Sequence, residues 1–114
     1  MTITTSKEAN LITGRMVGRL DAHTVVRFVT EVADAVGPDH PNVALHMAHV
    51  EFIDSSALAA LVMTLKRSLQ HGGDVMLVAV SDPVRLILEL TRLDEVFPRF
   101  ASLAEARAAI AAVA

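Results

Sequence analysis

The sequence predicts an α/β fold, a mixed and mainly parallel β-sheet of about five strands flanked by about four helices. Short apolar runs alternate along the chain with segments whose apolar residues recur at helical spacing. Residues 74–80 form an almost continuous apolar run, which is typical of a parallel strand covered on both faces. Helix stop signals separate these segments at Gly37-Pro38 and at Gly72-Gly73.

The first half of the chain opens with two predicted strands, over residues 2–6 and 10–20. The first helix follows and ends at Gly37-Pro38, because apolar residues share one helical face up to that point. These residues are Val25, Phe28, Val29, Val32 and Val36. Residues 42–48 are predicted to form a third strand that runs into a loop.

The second helix is predicted to begin at the triplet Asp54-Ser55-Ser56, with Asp54 as its cap. Gly72-Gly73 ends this helix. Its predicted apolar face consists of Leu58, Leu61, Val62, Leu65 and Leu69.

A fourth strand is predicted over residues 74–80, and a third helix over residues 81–93. Asp82 is the predicted cap of that helix, and Pro83 takes its first helical position. Residues 96–100 are expected to form a short edge strand, since a proline suits an edge.

The last helix is predicted to start with a capping box formed by Ser102 and Glu105. Its apolar stripe consists of Leu103, Ala106, Ile110 and Val113. The predicted order is therefore ββαβαβαβα, with an antiparallel initial hairpin and right-handed crossovers between parallel strands.

Composition limits the classes of function. The 114 residues are expected to form one domain, residues 1–114, located in the cytoplasm, because the N-terminus is polar and lacks a signal pattern. No apolar run approaches the ~20 residues of a membrane span, so no membrane insertion is expected. Cysteine is absent, and the net charge of −3 with scattered basic residues gives no footprint for nucleic acid.

Five histidines raise the question of a metal site. His46 and His49 are three residues apart on a predicted strand. Side chains alternate along a strand, so residues an odd number apart are expected to point to opposite faces. The sequence therefore predicts no metal site.

An enzyme is not predicted either. The segment "IDSSAL" lacks the G-x-S-x-G pattern that exposes a nucleophilic serine, and a triad of Asp21, His23 and Ser56 has no further support. The segment "GRMVG" has neither a dinucleotide fingerprint nor a phosphate-binding lysine, so no cofactor is expected.

The triplet Asp54-Ser55-Ser56 has two interpretations. One oxygen-bearing residue suffices to cap a helix, so the triplet is explained if it only starts the second helix. However, it follows a strand, at the sheet edge where open α/β proteins usually bind ligands. It also places hydroxyl groups at a helix N-terminus, where a phosphate is electrostatically favoured.

Nearly the whole chain resembles the STAS domain family, and within it the stand-alone bacterial anti-sigma factor antagonists. The similarity is carried by "GRLDAHTV", by "VEFIDSSALAAL" and by the segment from "HGGDVMLVAV" to "SLAEARAAI". It implies a mainly β-sheet core flanked by helices, in agreement with the order above.

The resemblance also implies a function and its partners. The unphosphorylated antagonist binds an anti-sigma factor that is often a serine kinase, and this binding frees the sigma factor. The kinase phosphorylates the antagonist at the start of the second helix, which releases the partner, and a PP2C-type phosphatase restores it.

Carried over by position, the phospho-acceptor is Ser56, with Ser55 as the alternative. The resemblance places Asp21, Asp54, Ser55, Ser56 and Ala57 at the partner surface. Three positions depart from the family pattern, since Ala57 and Arg92 replace common glycines and His46 replaces a common acidic residue. The oligomeric state is open.

A second interpretation keeps the fold and omits the switch. Related STAS proteins are subunits of lipid-transport ATP-binding-cassette complexes or pieces of stress-sensing scaffolds. A small hydrolase that uses Ser56 is the third and weakest interpretation.

Overall fold

Five strands form one sheet in the order β1-β2-β3-β4-β5 in the computed structural model, which describes residues 1–113. The strands are β1 (Thr2–Glu8), β2 (Leu11–Leu20), β3 (Asn42–Ile53), β4 (Val75–Val78) and β5 (Arg99–Phe100). The helices are α1 (Val25–Glu31), α2 (Ser55–Gln70), α3 (Asp82–Leu90) and α4 (Leu103–Val113). β1 pairs with β2 in antiparallel fashion, and all other neighbouring strands are parallel. The predicted α/β class, element order and mixed sheet are confirmed.

The helices cover the two faces of the sheet unequally. Helices α1, α2 and α3 pack on one face, where Phe28, Leu61 and Leu88 belong to the main core. Only α4 packs on the other face, where Ala106 belongs to a smaller cluster. The strand residues of that cluster are Leu11, Ala44, Met76 and Val78. We call this second side of the sheet the α4 face.

The first helix is shorter than predicted. α1 ends at Glu31, and a 3₁₀ turn over Ala33–Ala35 continues to Val36. The segment is rich in β-branched residues, which have low helix propensity, and helix ends commonly tighten into 3₁₀ turns. The predicted apolar face is nevertheless correct, because Val32 and Val36 are both buried in the main core.

The predicted stop signal of α2 is confirmed, but its predicted apolar face is partly wrong. Gly72 adopts a φ of +78°, and a Cβ at Gly73 would overlap the carbonyl group of Pro41. Leu69, however, is exposed. Two small polar residues, Thr64 and Ser68, are buried instead.

The third helix begins differently from the prediction. Ser81, not Asp82, is the residue before the first turn, and Pro83 lies in that turn. The Ser81 hydroxyl donates to the Val50 carbonyl at 2.7 Å, so it links α3 to β3 instead of capping the helix.

The C-terminal elements are close to the prediction. β5 is only two residues long, because it pairs with β4 at Arg99 and Phe100 alone. The Ser102 hydroxyl accepts from the Glu105 N–H at 3.2 Å, while the Glu105 carboxylate accepts from the Ala101 N–H at 2.9 Å. This confirms Ser102 and Glu105 as capping residues. The Glu105 carboxylate, however, accepts from the N–H of Ala101 and not, as a capping box would require, from that of Ser102. The predicted contact of the Val113 side chain lies outside the described residues.

β3 extends to Ile53, well beyond the predicted end at residue 48, and it is irregular. Arg15 and Val17 lie opposite His46 and His49, so two residues along β2 match three along β3. Such a bulge inserts an extra residue and shifts the alternation of side chains. The prediction that His46 and His49 point to opposite faces is therefore wrong, and their ring centroids are 6.4 Å apart.

Candidate functional site

Asp54 caps α2, as predicted. It has extended backbone angles of φ −110° and ψ −176°, and its Oδ1 accepts from the Ala57 N–H at 3.0 Å. A side-chain oxygen in this position satisfies one of the backbone donors that a helix start leaves unpaired.

The second oxygen of Asp54 holds the turn between β2 and α1. Oδ2 accepts from the Ala22 N–H at 3.0 Å, while the Asp54 N–H donates to the Leu20 carbonyl at 3.3 Å. The carboxylate of Asp54 therefore joins two segments that are distant in sequence, and it places Asp21 near the start of α2.

Asp21 organises its own turn. Its Oδ1 accepts from the backbone N–H groups of His23 and Thr24 at 3.0 and 3.2 Å. Its Oδ2 lies 3.6 Å from the Arg19 Nε, and the side chain is 17% exposed. Desolvation opposes ionisation of Asp21, but these hydrogen bonds and the nearby His23 outweigh it and lower the pKa of the carboxyl.

Thr24 is a site residue that sequence reasoning missed. The Asp21 N–H donates to its hydroxyl at 2.9 Å, and this hydroxyl donates to the Arg19 carbonyl at 2.7 Å. The spacing Asp-x-x-Thr, in which each side chain bonds the other residue's backbone, is the signal that would have found it.

Ser55 and Ser56 are the first two residues of the 16-residue α2, and both are exposed. Neither hydroxyl makes a hydrogen bond within the part of the chain that the structure describes. Because Asp54 supplies the cap, the fold does not use these hydroxyls.

Ala57 lies elsewhere than expected. Its side chain is fully buried in the main core, so the methyl group points away from any partner at this edge. The structure thus brings Asp21, Asp54, Ser55 and Ser56 together at the carboxyl edge of the sheet and leaves Ala57 beneath them.

Exposed apolar residues also lie on α2 and, separately, on α3. Ser55, Ala59 and Met63 are spaced four residues apart on one side of α2, and Met63 is 45% exposed. Leu86 and Leu90 are 54% and 71% exposed on α3. Sequence reasoning missed these exposed residues, although apolar residues outside the buried stripe of a helix are their signal.

Residues 1–113 offer neither a membrane-spanning helix nor a metal-binding cluster. None of their helices is long and apolar enough to cross a membrane. Their His, Asp and Glu side chains form no group of three that could hold a metal ion.

The family model of the STAS domain matches residues 2–106, so the chain belongs to the STAS domain family. It is 27% identical over 85 residues to the anti-sigma F factor antagonist of Paenibacillus polymyxa, a match covering 74% of this chain and 73% of that protein. The structure is also similar to an anti-sigma-factor antagonist (STAS) domain protein of Planctomyces limnophilus. That match has 29% identity and a TM-score of 0.85, and it covers 96% and 97% of the two chains.

The fold is shared with the anti-sigma factor antagonist SpoIIAA. Its unphosphorylated form is 17% identical, with a TM-score of 0.86 over 99% of each chain. The phosphorylated form of the Bacillus protein gives a TM-score of 0.78 over 96% of this chain and 99% of that chain, also at 17% identity.

Proposed function

We propose that this protein is an anti-sigma factor antagonist, a cytoplasmic regulatory protein and not an enzyme. It binds an anti-sigma factor of the serine-kinase type through the surface at the start of α2, and this binding frees a sigma factor. Support comes from the family and from two relatives with this description, at 27% and 29% identity.

Phosphorylation of Ser56 by that kinase releases the partner, and a PP2C-type phosphatase reverses it. The observation that carries this proposal is that Asp54 caps α2, while the hydroxyls of Ser55 and Ser56 are exposed and free of hydrogen bonds among the described residues. A free hydroxyl is chemically available to a kinase, and its modification breaks no bond of the fold.

Release follows from charge at the interface. A phosphate adds about −1.5 to −2 charges, and a helix N-terminus tolerates them. The fold of SpoIIAA in its phosphorylated form is similar, so a phosphate is compatible with this architecture. At the interface, however, the new charge lies near Asp54 and Asp21 and must be desolvated beside partner groups. About 4 kcal/mol of such repulsion weakens binding a thousandfold.

The buried position of Ala57 supports modification of Ser56 in spite of the missing glycine. Its methyl group contacts the core and occupies no space in front of the serines. A kinase that approaches the exposed side of the first turn therefore does not meet it.

The test is the affinity for the kinase-type anti-sigma factor encoded in the same genome. Ser56→Asp carries part of the phosphate charge and is expected to weaken binding at least about tenfold. Ser56→Ala is expected to bind like the wild type and to stay bound when ATP is added. Ser55→Asp, the same change one residue earlier, is the matched control and is expected to have the smaller effect.

Other outcomes separate the alternatives. If Ser55→Asp has the larger effect, Ser55 is the acceptor. If an anti-sigma factor binds but neither aspartate variant weakens it, the switch is absent. If no anti-sigma factor binds, the protein is an unswitched STAS subunit, of a lipid-transport ATP-binding-cassette complex or of a stress-sensing scaffold.

A further inference from the structure

The α4 face is only partly covered. Helix α4 packs over the beginning of the parallel strands, where Leu11 and Ala44 are buried. Further along the same side of β2 and β3, none of the described helices covers two rows of side chains. The row on β2 consists of Arg15, Val17 and Arg19, and the row on β3 consists of His46, His49 and Phe52. We call these six residues the open patch.

The bulge in β3 creates this patch. It turns His46 and His49 to the same side, with 38° between their ring planes. His46 is half-buried, and its Nδ1 is buried with no hydrogen-bond partner among residues 1–113. Bulges often re-aim side chains at functional places, and a buried polar atom without a partner calls for an explanation.

The patch combines positive charge with apolar surface. Arg15 makes no ion pair among residues 1–113. Arg19 lies over the Phe52 ring, with its guanidinium carbon 4.2 Å from the ring centroid. Val17 and Phe52 are 41% and 38% exposed. Arg19 also pairs with Asp21, and the exposed Glu51 adjoins His49, so among the described residues Arg15 supplies the unpaired positive charge of a surface that contains apolar residues.

These features select among possible occupants. The fixed charge of Arg15 disfavours a metal cation beside the two imidazoles. A small anion would use the positive groups but leave Val17 and Phe52 exposed. A protein segment with carboxylates and apolar side chains can contact both the positive groups and the apolar side chains of the patch. Protein interfaces commonly combine apolar contacts with complementary charge in this way.

We propose that the open patch is a second docking surface, which binds an acidic, partly apolar segment of a protein partner. It is separate from the surface around Ser56, because α2 lies on the opposite face of the sheet. The two surfaces approach each other where Arg19 lies 3.6 Å from Asp21. A partner on the open patch can therefore be bound at the same time as one at the start of α2.

Binding is coupled to the protonation of His46. Burial and the charges of Arg15 and His49 lower the pKa of His46. The neighbour of His46 on β4 is Val78, which carries no charge, and Glu51 lies beside His49 in a shallow hollow. An anion bound here opposes the repulsion from Arg15, so binding and protonation favour each other, and affinity rises as pH falls.

The test uses the full chain labelled with ¹⁵N and a short synthetic peptide rich in glutamate, with two leucines. We expect saturable NMR shifts of the amides of Arg15, Val17, His46 and His49. Affinity is expected to rise from about pH 8 to about pH 6, and this rise is expected to disappear in the variant His46→Gln. The same peptide with glutamines in place of glutamates is expected not to bind.

A matched pair of variants locates the surface. Arg15→Glu is expected to lower the affinity for the peptide at least about fivefold, because like charges repel. Arg99→Glu makes the same change on exposed β5, away from the patch, and is expected to have less than about half of that effect on the binding free energy. An amide spectrum of each variant checks that it is folded.

Three results would overturn the proposal: no saturable binding, shifts that fall outside the patch, or equal losses in the two variants. Binding of inorganic phosphate as tightly as the peptide would also overturn it, since a bare anion site would then suffice. Each of these outcomes is independent of the behaviour of Ser56.

Discussion

Ala22 and Asp54 are joined by a hydrogen bond of 3.0 Å although they are 32 positions apart in the sequence. Through this bond, one carboxylate holds the turn after β2 against the start of α2. The same side chain caps α2 through its other oxygen. The relative position of Asp21 and the two serines therefore depends on Asp54.

Asp54→Ala is expected to lower the free energy of unfolding by about 2 kcal/mol. Loss of a helix cap costs about 1 kcal/mol, and loss of the hydrogen bond from the exposed Ala22 N–H to the carboxylate adds about as much. Urea unfolding measures the change. Ser55→Ala, next to it on the exposed side, is the control and is expected to change stability by less than about 0.5 kcal/mol. Equal stability of the two variants would contradict the role of Asp54 as a link.

Arg92→Gly is expected to stabilise the protein by about 0.5 kcal/mol. Arg92 follows α3 with a φ of +61°, a left-handed conformation that disfavours side chains by about 1 kcal/mol or more. Glycine removes this strain, although it also gives the unfolded chain more freedom, which offsets part of the gain. Thermal unfolding measures the difference.

The control for this substitution is Arg99→Gly, in β5, where φ is not positive. It is expected to destabilise the protein, because glycine weakens strands. If Arg92→Gly also loses stability, the contacts of the arginine side chain contribute more to stability at this position than the backbone strain costs.

Asp21→Asn is expected to destabilise the protein at neutral pH and to lose this effect in acid. The pKa of Asp21 is lowered in the folded protein, so its ionised form contributes stability above the unfolded pKa of about 3.9. That contribution disappears as pH falls through the lower, folded pKa. Urea unfolding of both proteins at several pH values tests this. A difference that stays constant down to the lowest pH would contradict it.

The sequence predicts the order of elements because each has a strong local signal. Gly72-Gly73 ends α2 and Ser102 caps α4, as the structure confirms. Asp54 is predictable as a cap for the same reason. The candidate serines follow from the resemblance of the surrounding segment, since an exposed serine has no local signal of its own.

The remaining features depend on tertiary contacts. A bulge arises from the pairing of two strands, so the common orientation of His46 and His49 has no signal within β3. The second oxygen of Asp54 can accept from the Ala22 N–H only when the sheet brings the two segments together. Ala57 resembles a surface residue in its family context, but the close packing of α2 on the sheet buries it.

The central claim is that Ser56 is reversibly phosphorylated, and the most direct measurement is the mass of the protein isolated from its own cells under several growth conditions. Fragmentation of the peptides assigns any added phosphate to one serine. The account predicts a phosphate on Ser56 whose occupancy changes between conditions. A phosphate on another residue only, or none in any condition, would contradict it.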